Sequence, residues 1–176
     1  YDRLVGSEMC IRDRLYIFDT TLRDGAQTQG VDFSIDDKEK ISSALDLLGV
    51  DYVEGGWPGA NPTDTEFFNK DHNFKSTKLT AFGMTKKSEH SAENDPMLSS
   101  LINSKSSSVC LFGKSWDFQV KVALGITNDE NLTNISESTK HIVKSGKEFM
   151  FDAEHFFDGY KSNPEFALSC LKASYD

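Results

Sequence analysis

Short apolar runs rich in Val, Ile, Phe and Tyr recur along the chain, near Leu15, Asp51, Lys78, Ser108 and Glu148. Stretches with helical periodicity lie between most of them. The clearest starts at Ser34, an N-cap with Asp37 three residues on as the other half of a capping box. Ile41, Leu45 and Leu48 follow at i, i+4 and i+7, and Gly49 supplies the stop. Leu132, Ile135, Ile142 and Val143 fall on one face of a second helix ending near Gly146. Asn163-Pro164-Glu165 opens a third, with Asn as N-cap, Pro at the first helical position, and Ala167, Leu168 and Leu171 as the apolar face.

Strand and helix alternating at about 30 residues per unit predict βαβ crossovers and a parallel sheet. The strands are apolar on both faces (Tyr16-Ile17-Phe18; Val109-Cys110-Leu111-Phe112), which predicts helices on one side and a packed layer on the other. An open doubly wound sheet and part of a (β/α)8 TIM barrel both satisfy this pattern. No Gly-rich dinucleotide loop follows the first strand. Polar residues instead gather at the C-terminal ends of several strands, at Asp19 to Asp24, Glu54, Lys114-Ser115 and Asp152 to His155. Barrel enzymes place their chemistry there. The expectation is an α/β chain carrying about the first five of eight βα units, where a complete barrel takes ~250 residues.

The two ends bear on this expectation. Residues 1–14 show neither periodicity, and Met9-Cys10-Ile11-Arg12-Asp13-Arg14 resembles the read-through of a sequencing adapter. They are expected to be a non-native extension. Residues 15–176 are expected to be a partial barrel whose C-terminal part is missing, because the last helix reaches Asp176 without a stop signal.

With 19 Lys and Arg against 28 Asp and Glu, the 176-residue chain has a formal net charge of −9. A negative surface attracts neither nucleic acid nor anionic lipid, so neither is expected as a partner. No stretch approaches the ~18 apolar residues of a spanning helix. Cys10, Cys110 and Cys170 are too few and scattered for a disulfide framework, which suits a cytoplasmic protein. Cys110 reads as a small apolar core residue.

The segment Phe18-Asp19-Thr20-Thr21-Leu22-Arg23-Asp24-Gly25-Ala26-Gln27 sets a cation beside a hard oxygen ligand just past a strand. Asp24 suits a divalent metal, and Arg23 suits a carboxylate or a developing oxyanion. A surface ion pair explains the same residues equally well. Alternation along the fifth strand points Met150, Asp152 and Glu154 to one face. On residues alone, Glu154 accepts hydrogen bonds from neighbouring loops. Glu54 and Gln27 either orient substrate or, for Glu54, supply an acceptor for amides of the tight Gly55-Gly56-Trp57-Pro58-Gly59 loop. Trp57 and Trp116 are expected to pack, and His155 to hydrogen-bond Glu154. Gly113-Lys114-Ser115 lacks the upstream Gly of a phosphate loop. The sequons at Asn131 and Asn134 fall inside a predicted helix.

Asp19-Thr20-Thr21-Leu22-Arg23-Asp24-Gly25 resembles the signature of the metal-dependent TIM-barrel acyltransferases and lyases. These include 2-isopropylmalate, homocitrate and citramalate synthases and hydroxymethylglutaryl-CoA lyase. Asp24 to Gln27, Val53 to Pro62, Phe112 to Asp117 and Asp152 to Tyr160 are similar to the citramalate-synthase branch, and the likeness runs from Leu15 to about Lys172. The resemblance implies condensation of acetyl-CoA with pyruvate on the way to isoleucine, a divalent cation (Mn2+, Mg2+ or Zn2+), and a homodimer at full length. It implies that Asp24 binds the metal, that Arg23 stabilises oxyanion charge, and that Glu154 gives acid–base help. Gln27 and Glu54 are expected to contact substrate. The family's further ligands are a His-x-His pair, and none of His72, His90, His141 and His155 forms one. Siblings acting on larger 2-oxoacids are the alternative within the family. An inactive fragment or a non-catalytic binding module is the alternative outside it.

Overall fold

A computed structural model describes residues 15–176; the expectations for residues 1–14 lie outside the described residues. Five parallel strands form one sheet: β1 (Phe18–Asp19), β2 (Tyr52–Gly56), β3 (Lys78–Met84), β4 (Ser108–Lys114) and β5 (Glu148–Glu154). Their spatial order is β1-β2-β3-β4-β5. Each strand therefore pairs with the next one in sequence, with no reversal of the kind a doubly wound sheet makes at its switch point. This is the order of a barrel wall, here five staves of it.

The helices are α1 (Ile35–Leu48), α2 (Pro62–Asn69), α3 (Pro96–Asn103), the single turn α4 (Asp117–Gln119), α5 (Asn128–Lys144), α6 (Phe156–Ser162) and α7 (Pro164–Tyr175). Capping sets their ends. Ser34 Oγ accepts from Asp37 N while Asp37 accepts from Ser34 N, and Gly49 takes the left-handed C-cap with φ 88°. Thr127 and Glu130 make the same reciprocal box at α5, and Asn61, Asp95 and Asn163 cap helices that begin with Pro.

Between sheet and helices lies one large apolar core. Val53, Leu79, Ala81, Val109 and Leu111 point outward from the strands onto Phe67, Phe68, Leu98, Leu101 and Ile142. The opposite strand face differs from the packed apolar layer the sequence suggests. Thr80 and Ser108 share a buried hydrogen bond of 2.7 Å, and Glu148 accepts from Tyr52 at 2.8 Å and from Lys78 at 2.6 Å. Cys110 lies on this inner face rather than in the helix-covered core, and burial pushes its thiol up to about 12.

Three apolar assignments are corrected. In α1 Ile41 and Leu45 pack half-buried against the core as expected, but Leu48 is exposed and the most buried positions are Lys38, Ser42 and Asp46. Lys38 and Asp46 are turned inward because they hydrogen-bond the loops after β1 and before β3. In α5 Val143 is exposed, and Asn131, Asn134 and Ser138 join Ile135 and Ile142 inside. In α7 the seated face is Phe166, Ala167 and Cys170, because α7 packs on α5, and Leu168 is exposed. The first apolar run also gives only two residues of strand, leaving Leu15, Tyr16 and Ile17 largely exposed on an edge.

Candidate active site at the mouth of the strands

The site residues expected from the sequence lie past a strand (Arg23, Asp24, Gln27), at its last residue (Glu154) or, for Glu54, inside β2 two residues before its end. Thr20 opens the loop after β1, where its carbonyl accepts from the amides of Arg23, Asp24 and Gly25. That tight turn presents Arg23 and Asp24 side by side, and a short 3-10 turn over Gly25–Gln27 follows. Arg23 Nη1 reaches Asp24 Oδ1 at 3.0 Å, and Arg23 Nε donates to Glu54 Oε2 at 2.7 Å. The guanidinium also lies over the ring of Phe82, 3.9 Å from its centre, which holds its plane. Side-chain exposure falls from 61% at Asp24 to 18% at Arg23 and 1% at Glu54. The trio thus runs from open solvent into the wall.

Across the mouth, Glu154 Oε2 sits 2.5 Å from Lys114 Nζ, so β4 and β5 end in an ion pair of their own. Asp152 stands one step below on β5. Burial lifts the carboxyls of Glu54 and Asp152 above their ordinary range. Arg23 opposes the lift in both, and Glu154 reinforces it at Asp152. Arg23, Asp24, Glu54, Asp152 and Glu154 therefore share one electrostatic site, fed from strands β1, β2 and β5. Beneath them Phe82 and Phe112 stack, and Trp57 meets both rings edge-on. Gln27 is exposed and lines a cavity of about 410 Å³ with Arg23, Trp57 and Asn61.

Two local expectations change. Glu54 is not the acceptor for the loop after β2: Asp64 takes the amide of Trp57 at 2.8 Å, and Glu54 is given to Arg23. His155 Nε2 lies 3.8 Å from Glu154 Oε1, beyond hydrogen-bond range, because His155 adopts φ 58° and turns its ring to the edge of Trp116. Sequence reasoning did not single out Asp152, Lys38 or Asp64 as site or supporting residues. The alternation of β5 already faced Asp152 inward; nothing along the chain marks the other two.

Among the described residues no group of three or more His, Cys, Asp or Glu is placed to hold a metal ion. Asp24, an exposed hard carboxylate, fits one coordination position of a divalent cation and no more.

Half a barrel with charged groups at the C-terminal mouth defines a class, the TIM-barrel enzymes. Within it, the chain belongs to the HMGL-like family, whose pattern matches residues 14–176. It is 51% identical over 164 residues to an (R)-citramalate synthase of Aquifex aeolicus, covering 92% of this chain and 31% of that protein. Identity to an (R)-citramalate synthase of Geobacter sulfurreducens is 43% over 162 residues, covering 91% and 31%. A 2-isopropylmalate synthase of Sulfolobus acidocaldarius is 30% identical over 163 residues, covering 93% and 40%. The chain thus spans about a third of the length of these curated relatives. An HMG-CoA lyase structure from Bacillus subtilis superposes with a TM-score of 0.69 at 13% identity, covering 91% of this chain and 55% of that one. The likeness is one of fold, and it agrees with the sequential strand order. The chain is homologous to acyl-condensing enzymes, in a family whose members are typically divalent-metal dependent. No helix among the described residues is long and apolar enough to cross a membrane.

Proposed function

We propose that this chain is the N-terminal part of the catalytic barrel of an (R)-citramalate synthase, which joins acetyl-CoA, pyruvate and water into citramalate and free CoA. The observation that carries the reading is the Arg23–Glu54 ion pair, set beside Asp24 and facing Glu154 at the strand ends. Higher identity to citramalate synthases than to 2-isopropylmalate synthases supports pyruvate as the acceptor.

Arg23 supplies a fixed cation where negative charge develops on the keto oxygen of pyruvate. Its plane is held by Glu54 and Phe82, so little reorganisation accompanies the reaction. Glu154 is the acid–base group, taking or returning a proton as the acetyl methyl is activated and the new hydroxyl forms. Lys114 Nζ, 2.5 Å from Glu154 Oε2, holds that carboxylate at the mouth by an ion pair. Gln27 lines the approach to Arg23, and Glu54 backs the guanidinium from inside the wall. A divalent ion with Asp24 among its ligands would polarise the keto group of the acceptor.

The test is a thiol-release assay on the full-length protein with Mn2+ or Mg2+, comparing pyruvate with 2-oxobutanoate and 3-methyl-2-oxobutanoate. The expected outcome is a kcat/KM for pyruvate at least tenfold above the others. A preference for the branched acid would replace this reading with 2-isopropylmalate synthesis.

A further inference from the structure

Lys38 is an unusual occupant of a protein interior, because a buried ammonium is kept only where it is paired and hydrogen-bonded. Its side chain is buried, the residue being 3% exposed, and it stands in the first turn of α1 rather than on a strand end. Nζ donates to three acceptors: the carbonyl of Leu22 at 3.0 Å, the carbonyl of Gly55 at 2.7 Å and Asp64 Oδ1 at 2.5 Å. All three hydrogens of the ammonium are thereby used.

The identity of those acceptors is the informative part. Leu22 immediately precedes Arg23, and Gly55 immediately follows Glu54. One ammonium therefore ties together the two backbone segments whose adjacent side chains form the 2.7 Å ion pair. Asp64 completes the clamp, since its second oxygen accepts from Trp57 N at 2.8 Å and from Asn61 Nδ2 at 2.9 Å. The backbone makes room for it: Gly56 has φ 140°, and a Cβ there would lie 2.5 Å from Asp64 Cγ. A helix surface needs no such arrangement for its own stability, and an apolar residue would seal α1 against the sheet with less desolvation.

We propose that Lys38, with Asp64, is a positioning residue for Arg23: it fixes the loop after β1 against the end of β2 so that the guanidinium meets Glu54. The catalytic consequence rests on the reaction proposed above; the positioning does not.

The experiment uses the full-length protein and two variants. Lys38→Met/Asp64→Asn removes both charges, so no buried charge is left alone. Lys38→Arg keeps a cation for Asp64, but its planar fork cannot place donors on both carbonyls from a single centre. Hydrogen–deuterium exchange by mass spectrometry is followed in peptides covering Thr20–Gln27, the end of β2 and α5. Steady-state kinetics are measured alongside. In both variants the first two peptides exchange at least several-fold faster, α5 is unchanged, and kcat falls about 10- to 100-fold at unaltered KM for acetyl-CoA. Unchanged exchange over Thr20–Gln27 in either folded variant overturns the proposal, whatever the activity does. Loss of protection throughout, α5 included, in both variants also overturns it, by reducing Lys38 to a stability element. Faster exchange in a protein whose wild type does not condense pyruvate retains the positioning role and rejects the reaction instead.

Discussion

Arg23 and Glu54 stand 31 residues apart in the chain and 2.7 Å apart in space, one on the loop after β1 and the other within β2. The pair makes a site out of two consecutive βα units, because neither residue is held in place by its own segment alone.

Replacing Arg23 follows from that geometry. Arg23→Ala in the full-length protein should lower kcat by about 10²- to 10³-fold, the usual loss when a donor to a developing oxyanion is removed. Arg23→Lys should not rescue it, since a point charge cannot contact Glu54 and Asp24 together while lying flat on Phe82. Thiol release measures the rate and circular dichroism the fold. A near-normal kcat in folded Arg23→Ala would leave Arg23 a structural role only.

Residues 15–176 alone should release no thiol from acetyl-CoA and pyruvate, with Mn2+ or Mg2+ present. Asp24 is the only described residue to which metal binding is assigned, and several convergent ligands are required to hold such an ion. Robust turnover would show that the metal is held elsewhere in this chain.

A stability prediction comes from Asp46, far from the site. Its carboxylate accepts backbone amides of Lys75, Ser76 and Thr77, and these bonds hold it down at about 2. A carboxyl depressed in the folded state contributes stability that is complete above its unfolded value of about 4 and is lost as pH falls towards 2. Asp46→Asn should therefore cost about 1–2 kcal/mol at pH 7 and almost nothing near pH 2. Urea titrations of both proteins at the two pH values decide it; a pH-independent difference would contradict the assignment.

Gly159 tests the packing under Glu154. A Cβ at this position in α6 would overlap the carbonyl oxygen of Ser115, which is backbone and cannot rotate away. Gly159→Ala should destabilise by about 1–3 kcal/mol despite the helix propensity of alanine. Thermal unfolding would register the loss. An unchanged or raised Tm would mean that α6 slides freely over the β4 loop.

Much of this architecture is legible without coordinates. Apolar runs separated by capped helices mark the βα units, and the box at Ser34 and the Asn163-Pro164 start form as local chemistry requires. The gathering of Arg23, Asp24, Glu54 and Glu154 at one end is visible as well, because each stands at an apolar run or within a few residues past it. The faces of α1, α5 and α7 are less legible. Leu48, Val143 and Leu168 satisfy helical spacing but lie outside, since the tilt of a helix on its sheet is set by neighbours distant in sequence.

The sequence by itself determined the elements, their order and the end of the sheet where charge collects, because caps, periodicity and turn residues act within a few positions. Tertiary structure alone decided which charges are partners. Glu54 goes to Arg23, Glu154 to Lys114, and Asp64 to Lys38 rather than to solvent. Pairing of buried charges depends on distances across strands and on the desolvation that accompanies burial, and neither quantity exists until the chain has closed around them.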